Sequence, residues 1–178
     1  MPTVACPDCA TTNRVPETRL NDNPRCGRCG TALFQGAPVV LTANNFERHA
    51  TAELPLLVDF WAAWCGPCKV MAPQFDAASR MLEPRFRLGK MDTEAEADIA
   101  SRFGIRGIPT MILFKAGKEI ARTSGVMSAA DIVRWASAQA GRAGKLPYRG
   151  TSRAAFAARI AARFRANGAR QCGESRGR

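Results

Sequence analysis

The stretch Leu56-Leu57-Val58-Asp59-Phe60-Trp61-Ala62-Ala63-Trp64-Cys65-Gly66-Pro67-Cys68-Lys69-Val70-Met71-Ala72-Pro73 decides how this chain reads. Its first six residues form an apolar run broken by one acid, the pattern of a buried central strand. Beyond Cys68, the residues Val70, Met71, Gln74, Phe75, Ala78, Met81 and Leu82 recur at helical spacing, so Cys65 falls where a strand hands over to a helix N-terminus. Unpaired backbone N–H groups and the positive end of the helix dipole stabilise a thiolate there, bringing a cysteine pKa from about 8.5 into the range of roughly 3.5 to 7.5. Cys65 is the expected nucleophile, and Cys68, one turn further in, the less exposed resolving thiol. Pro67 suits the first helical turn, whereas Pro73 lies inside the same helix and is expected to kink it. Taken alone, a Cys-Xaa-Xaa-Cys pair is either a redox dithiol or half of a metal site.

Six of the seven cysteines fall in three such pairs. Cys6-Pro7-Asp8-Cys9 and Cys26-Gly27-Arg28-Cys29 are separated by sixteen residues, the spacing of a structural Zn²⁺ site in which two tight turns each present two thiolates to one tetrahedral ion. Gly27 and Gly30 suit the second turn, where positive φ angles are expected. Residues 1–35 contain few apolar side chains besides Val4, Val15, Leu20, Leu33 and Phe34, too few for an independent core. Metal binding would then supply much of this segment's folding free energy, with its core separate from the rest. The competing readings are two further redox dithiols or a disordered leader.

After a short linker, Gly36-Ala37-Pro38, strand and helix patterns alternate. Val39–Leu41 reads as a strand, Asn44–Thr51 as a short polar helix, Leu56–Trp61 as the central strand and Lys69–Leu82 as the kinked helix. Phe86–Met91 follows as a strand and Glu94–Phe103 as a helix. Thr110–Phe114 and Glu119–Thr123 read as a hairpin turned at Ala116-Gly117, and Ser128–Ala140 as a last helix with Ser128 as its N-cap. That order predicts an α/β chain: a mixed sheet flanked by helices, with a small zinc-ribbon-like module at the N-terminus. His49, the only histidine, reads as a solvated side chain of the short helix, since four cysteines already complete a tetrahedral site.

The motif Trp64-Cys65-Gly66-Pro67-Cys68-Lys69, with Phe60-Trp61-Ala62 before it and Gly107-Ile108-Pro109-Thr110 later, resembles the thioredoxin family over about residues 39–140. The four-cysteine module ahead of it is similar to that of the zinc-containing thioredoxin 2 branch. The resemblance implies the thioredoxin fold and protein-disulfide reductase activity on disulfide-containing proteins, with re-reduction by an NADPH-dependent thioredoxin reductase. It implies a redox-active disulfide at Cys65 and Cys68, one structural Zn²⁺ on Cys6, Cys9, Cys26 and Cys29, and no bound organic cofactor. The expected organisation is a zinc-binding module over 1–35, a thioredoxin domain over 36–141 and a basic Ala/Arg-rich tail over 142–178, in a monomer.

Asp59 carries two readings. A carboxylate inside an apolar strand is costly unless paired or protonated, so its pKa should rise, which is the property wanted of a proton acceptor for the resolving thiol. The alternative is a strand-end acid facing water. The resemblance places it beneath the dithiol and brings Lys90 near it as a tuning charge; an isolated lysine would ordinarily be a surface residue. Ile108-Pro109 reads from sequence only as a turn before a strand. The resemblance makes that proline cis and packs it against the dithiol, with the backbone before it pairing with substrate. It likewise sets Trp64 over the site and Trp61 beneath it, and the Gly66-Pro67 dipeptide favours a reductant. All three tryptophans, including Trp135 in the last helix, could also be plain core aromatics.

The formal net charge of +11 is concentrated in the tail: residues 142–178 hold ten Lys/Arg against one acid, Glu174. A helix over 152–166 would align Phe156, Ile160 and Phe164, suiting contact with acidic partners, nucleic acid or an anionic membrane surface, whereas the composition equally fits a disordered or marginally helical tail carrying a lone thiol, Cys172. No apolar run reaches the ~18 residues of a membrane span and no signal-peptide core is evident, so the cytoplasm is the expected compartment. Two rivals to a reductase remain open: an oxidant or isomerase on the same fold, and a binding module acting as zinc-ribbon adaptor or redox-responsive holdase.

Overall fold

Val39–Leu41 (β3), Leu56–Trp61 (β4), Arg87–Asp92 (β5), Thr110–Lys115 (β6) and Lys118–Ser124 (β7) form one five-stranded sheet in the order β3-β5-β4-β6-β7 in the computed structural model, which describes residues 1–145. The tail helix and Cys172 lie outside the described residues. β3 and β4 run parallel to β5, while β6 runs antiparallel to β4 and β7. The sheet is therefore mixed, as the succession of crossovers and a final hairpin requires. That hairpin turns at Ala116 and Gly117, both in the left-handed region at φ 49° and 81°.

The period of two along β4 separates the two sides of the sheet. Leu56, Val58 and Phe60 join Met91, Ile112 and Phe114 on one side, which also holds Phe46 of α1 (Phe46–Ala50) and Ile99 of α3 (Ala97–Arg102). Leu57 joins Leu88, Met111 and Leu113 on the other, against Met71, Phe75, Ala78 and Leu82 of α2 (Gly66–Leu82) and Ile132 and Ala136 of α4 (Ala129–Lys145). Asp59 shares the parity of Leu57 and so belongs to the face covered by α2. Gly89 of β5 lets Leu41 lie flat on the neighbouring strand: a Cβ there would come within 2.4 Å of the Leu41 side chain.

Residues 1–35 contribute a two-stranded antiparallel pair, Thr3–Ala5 (β1) and Thr12–Arg14 (β2), a single 3-10 turn over Glu17–Arg19, and a bridge between Arg25 and Ala32. The expectation of a core separate from the rest is corrected here. Leu54, just before β4, packs in one cluster with Val4, Val15 and Leu33 of the module. Its N–H donates to the Thr3 carbonyl, Glu53 N–H donates to Thr3 Oγ1, and Thr3 N–H donates to Glu53 Oε2. A buried ion pair closes the other end of the seam: Arg87 Nη1 contacts Glu83 Oε1 at 2.6 Å, and Arg87 Nη2 donates to the Leu33 carbonyl. The second oxygen of Glu83 accepts from the linker N–H groups of Gln35 and Gly36 at 3.0 and 2.6 Å. Burial pushes the Glu83 carboxyl upward, against the guanidinium and the two linker amides that favour its ionised form.

His49 is also corrected: it is 2 % exposed, on an α1 that packs against β1, and burial holds its pKa down to about 4. Other elements differ from expectation mainly at their ends. α2 starts at Gly66 rather than Lys69, α3 is shorter than the span 94–103, and α4 runs to Lys145, past the expected boundary at 141. Ser128 acts as the expected cap, its Oγ accepting from Asp131 N–H at 3.2 Å.

Truncating one partner of a buried, hydrogen-bonded ion pair leaves the other charge uncompensated, so Arg87→Ala should cost about 3 kcal/mol or more. It should also raise amide exchange at Leu33, Gln35 and Gly36 selectively. Denaturant unfolding together with site-resolved hydrogen exchange checks this, and unchanged exchange at the linker would show that the pair does not hold the module.

Candidate redox centre and metal site

The strand-to-helix handover is built on Cys65 itself. Its backbone is extended (φ −77°, ψ 106°), its carbonyl accepts the first helical bond from Lys69 N–H at 3.2 Å, and its sulfur accepts from Cys68 N–H at 3.2 Å. The sulfur thus occupies the role that a Ser or Asp oxygen takes at other helix starts, and one orphan amide of the first turn is directed at it. Gly66 and Pro67 follow as the first helical residues. Cys65 and Cys68 are joined by a disulfide, with Cα atoms 5.3 Å apart. The expected difference in their exposure is not seen, since each is 3 % exposed; the bonded pair is packed against Ala62, Trp61 and Ile108.

The chain returns to the pair at 107–110. Ile108-Pro109 is a cis peptide, and the Ile108 carbonyl oxygen lies 3.8 Å from Cys65 Sγ. Thr110 Oγ1 donates to the Gly107 carbonyl at 2.7 Å, and Gly125 N–H donates to the Pro109 carbonyl at 3.0 Å, which fixes this loop to the end of β7. An open groove of about 740 Å³ runs beside the disulfide, walled by Trp64, Pro67, Thr93, Ser101, Arg106 and Ile108. Trp64 is 68 % exposed at its edge. The sequence reading missed Thr93, Ser101 and Arg106. Arg106 had a signal, its adjacency to Gly107-Ile108-Pro109; Thr93 and Ser101 reach the groove only through the fold.

On β4, on the face that α2 covers, Asp59 is 1 % exposed and its Oδ1 has no hydrogen-bond partner among the described residues. Burial raises its pKa to about 7, with Lys90 opposing and Asp76 reinforcing the rise. Lys90 is its register partner on β5, so the two side chains leave the same face of the sheet. Lys90 Nζ, however, pairs with Asp76 Oδ1 of α2 at 2.7 Å. Asp76 was not singled out from sequence, where it is one more polar residue of a helix.

In the N-terminal module, Cys6, Cys9, Cys26 and Cys29 place their sulfurs within 4.8 Å of one another. The pairs Cys6–Cys29 and Cys9–Cys26 stand at 3.5 and 3.7 Å, near the ~3.8 Å edge of a tetrahedron with metal–sulfur bonds of ~2.3 Å. The two turns repeat one plan. Cys6 N–H donates to the Thr11 carbonyl and Ala10 N–H to the Cys6 carbonyl; Cys26 N–H donates to the Thr31 carbonyl and Gly30 N–H to the Cys26 carbonyl. Ala10 and Gly30 are the left-handed residues, at φ 54° and 75°. Gly27, expected to share that conformation, instead donates its N–H to Asn13 Oδ1 at 2.9 Å. Arg28 N–H and Asn13 Nδ2 both donate to Cys26 Sγ, and backbone N–H groups draw that thiol down to about 6. Burial pushes Cys6 up to about 12. Four sulfurs so placed ionise together only around a cation, which is the donor set a tetrahedral, thiophilic divalent metal requires.

The thioredoxin family model matches residues 37–138, and the model described as thioredoxin 2, N-terminal, matches residues 5–31. Thioredoxin C-3 of Corynebacterium nephridii is 39 % identical over 137 residues, spanning 76 % of this chain and 94 % of that protein. A thioredoxin of Synechocystis sp. is 41 % identical over 94 residues, 53 % of this chain and 88 % of its own. Among solved structures, the thioredoxin of Malassezia sympodialis is 28 % identical with a TM-score of 0.55, covering 59 % of this chain and 92 % of that one. Chloroplastic thioredoxin z is 27 % identical with a TM-score of 0.54, covering 59 % and 96 %. With its dithiol capping α2 beside a cis-proline loop, the chain belongs to the thioredoxin family, as a thiol-disulfide oxidoreductase whose N-terminal module is of the thioredoxin 2 zinc-ribbon type.

Proposed function

We propose that the chain is a protein-disulfide reductase that works through Cys65 and Cys68, holds one structural Zn²⁺ on Cys6, Cys9, Cys26 and Cys29, and is re-reduced by an NADPH-dependent thioredoxin reductase. The observation that carries this is the position of Cys65 Sγ, which receives the Cys68 amide while facing a groove that an extended peptide can enter. In the reduced protein the same amide stabilises the Cys65 thiolate. That thiolate attacks a substrate disulfide, displacing one substrate sulfur and forming a mixed disulfide. Trp64, Gly66 and Pro67 wall the groove, and the Ile108 backbone beside Pro109 supplies polar groups to an extended substrate.

Release needs the Cys68 proton removed. Asp59, buried and unpaired on the face that α2 covers, is the proposed acceptor, and Lys90 tunes it. Cys68 sulfur then bonds to Cys65 sulfur, the substrate sulfur leaves as a thiolate, and the dithiol is left oxidised. When bound, Zn²⁺ would crosslink the two turns of the module and contribute to its folding. We assign residues 1–35 to the zinc module, 36–141 to the catalytic domain and 142–178 to a basic tail able to meet acidic partners, in a monomer working in the cytoplasm, where such dithiols are kept reduced. Among the described residues no helix is long and apolar enough to cross a membrane.

Cys65→Ser should abolish insulin reduction, and Cys68→Ser should accumulate mixed disulfides with substrate; normal turnover in the Cys65→Ser variant would overturn the assignment of the nucleophile. Light scattering of a client protein in the same samples separates reductase from holdase activity.

The reduced protein should bind one equivalent of Zn²⁺, lost when all four module cysteines are replaced by serine. Chelation should release the module's amides to exchange before those of the sheet. Metal analysis finding no zinc, or zinc persisting in the quadruple variant, would remove the metal from the assignment.

Asp59→Asn gives a signed pH dependence. Because the folded-state pKa of Asp59 is raised to about 7, the stability it contributes is complete below the unfolded value and declines as pH rises toward 7. The Asn variant should therefore gain stability relative to the parent across that window, levelling off above it, by a few kcal/mol at most. Its mixed-disulfide release should be slower near neutrality and approach the parent rate at alkaline pH, where Cys68 ionises without a base. Coincident release profiles would make Asp59 a structural residue only.

A further inference from the structure

Lys90 is the register partner of Asp59, and both side chains leave the sheet on the face that α2 covers. The ammonium nevertheless makes its ion pair across the seam, with Asp76 Oδ1 at 2.7 Å, while Asp59 Oδ1 has no partner among the described residues. Asp76 lies on the row Cys68, Ala72, Asp76 of α2, each one turn beyond the last, so it shares a flank of the helix with the resolving thiol. Exposure grades along the three charges: Asp59 is 1 % exposed, the Lys90 side chain 23 % and the Asp76 side chain 44 %. The cation is drawn outward, toward water and its second carboxylate.

We propose that Asp76 is a positioning residue for the resolving half-reaction: by engaging the Lys90 ammonium at the solvent end of the sheet–helix seam, it withholds that cation from Asp59 and keeps Asp59 basic enough to accept the Cys68 proton. This deepens the reductase reading above and rests on Asp59 being the base. A carboxylate beside a free ammonium is held ionised and becomes a weak base; beside an ammonium already paired it feels little net charge. Asp76 thus acts in two ways of the same sign, through its own negative charge and through the position of Lys90.

The other charged groups around Asp59 do not alter this balance. β4 carries no second ionisable residue, and β6 faces Asp59 with Met111. On β5, Asp92 lies at the far strand end and accepts from Glu94 N–H. On α2, Lys69 and Arg80 are exposed, and on α4, Asp131 and Arg134 pair with each other. Arg87 opens β5 and pairs with Glu83. Lys115 ends β6, four residues beyond Met111, and Arg142 and Lys145 lie in the last turn of α4; Cys65 and Cys68 are the other titratable groups of these elements. In the step concerned, the Cys68 thiol passes its proton to the Asp59 carboxylate and its sulfur forms the bond to Cys65 sulfur. The bond between Cys65 and the substrate sulfur breaks, and that sulfur leaves with the electron pair and takes a proton from water. The chain's two thiols are oxidised and the substrate disulfide is reduced.

The test compares wild type, Asp76→Asn, Asp76→Glu, Lys90→Gln and the double variant Asp76→Asn/Lys90→Gln in the full chain. Each is read by NMR titration of the Asp59 carboxyl, and by release of thionitrobenzoate from a mixed disulfide formed on Cys65, followed across pH. Asp76→Asn should lower the Asp59 titration and the acid limb of release by about one pH unit or more. Lys90→Gln should move both upward, Asp76→Glu should restore the wild-type profile, and in the Lys90→Gln background the Asp76→Asn shift should shrink. An Asp59 titration unmoved by Asp76→Asn overturns the proposal, as does an undiminished shift without Lys90. If the titration moves while release keeps the wild-type profile in both Asp76→Asn and Asp59→Asn, Asp59 is not the base. The assignment of Asp76 to the resolving step then falls with it, although the charge arrangement stands.

Discussion

The bond from Cys68 N–H to Cys65 Sγ ties fold and chemistry together at one point. A helix beginning directly after a buried central strand leaves amides that need acceptors. In this chain the acceptor nearest the first turn is the sulfur of the residue that ends the connection. The same hydrogen bond that starts α2 therefore favours negative charge on Cys65. Its orientation depends on β4 being fixed on both edges, by β5 and β6, and on α2 being pressed to the sheet through Met71, Phe75, Ala78 and Leu82. Loosening any of these would move the amide relative to the sulfur, so the hydrophobic seam under α2 is a condition of the redox chemistry as well as of stability.

The central strand was legible in full: Leu56–Trp61 has the bounds its pattern predicts, because an apolar run between turn signals leaves few alternatives. The four-cysteine module was legible because its spacing carries geometry; the redox reading of Cys65 and Cys68 and the cis bond before Pro109 rested on the family resemblance, since the residues alone left a metal pair open in one case and only a turn in the other. What escaped was whatever depends on two segments distant in sequence. Glu83 and Arg87 were not singled out, since their burial appears only when Leu33 and the amides of Gln35 and Gly36 are brought against them. His49, flanked by Glu47, Arg48 and Thr51, carries no apolar signal of its own and owes its burial to the packing of α1. Asp76 is invisible for the same reason, since its importance comes from Lys90 on another element.

The seam at Glu83 and Arg87 sets limits on how the N-terminal module can be regarded. An ion pair this deeply buried contributes little net stability compared with apolar packing, yet removing one member is costly. Its value lies in geometry. Arg87 is the first residue of β5, and the same guanidinium that meets Glu83 also holds the Leu33 carbonyl, so the end of the module is indexed to the start of an inner strand of the sheet. Leu54 does the same from the start of β4 through apolar contact. The module is thus joined to the sheet at two separate places, and the linker between them has little freedom to choose its course.

Two sulfur sites in one chain must be kept from interfering, and backbone geometry is what separates them. Both surround sulfur with N–H donors, which lowers the cost of a thiolate. At Cys26 one donor, Arg28 N–H, comes from its own turn and another, Asn13 Nδ2, from β2, and the four sulfurs of the module converge on one another. A thiolate there is placed to share a cation, and coordination would take away its reactivity. At Cys65 the donor comes from a helix that leads away from the sulfur, and a groove lies on the opposite side. A thiolate at that position has, among the described residues, no converging thiolates beside it other than its own partner Cys68, and an open approach for a disulfide. The convergent turn suits a ligand and the divergent helix end suits a nucleophile, although the sequence writes both with the same spacing.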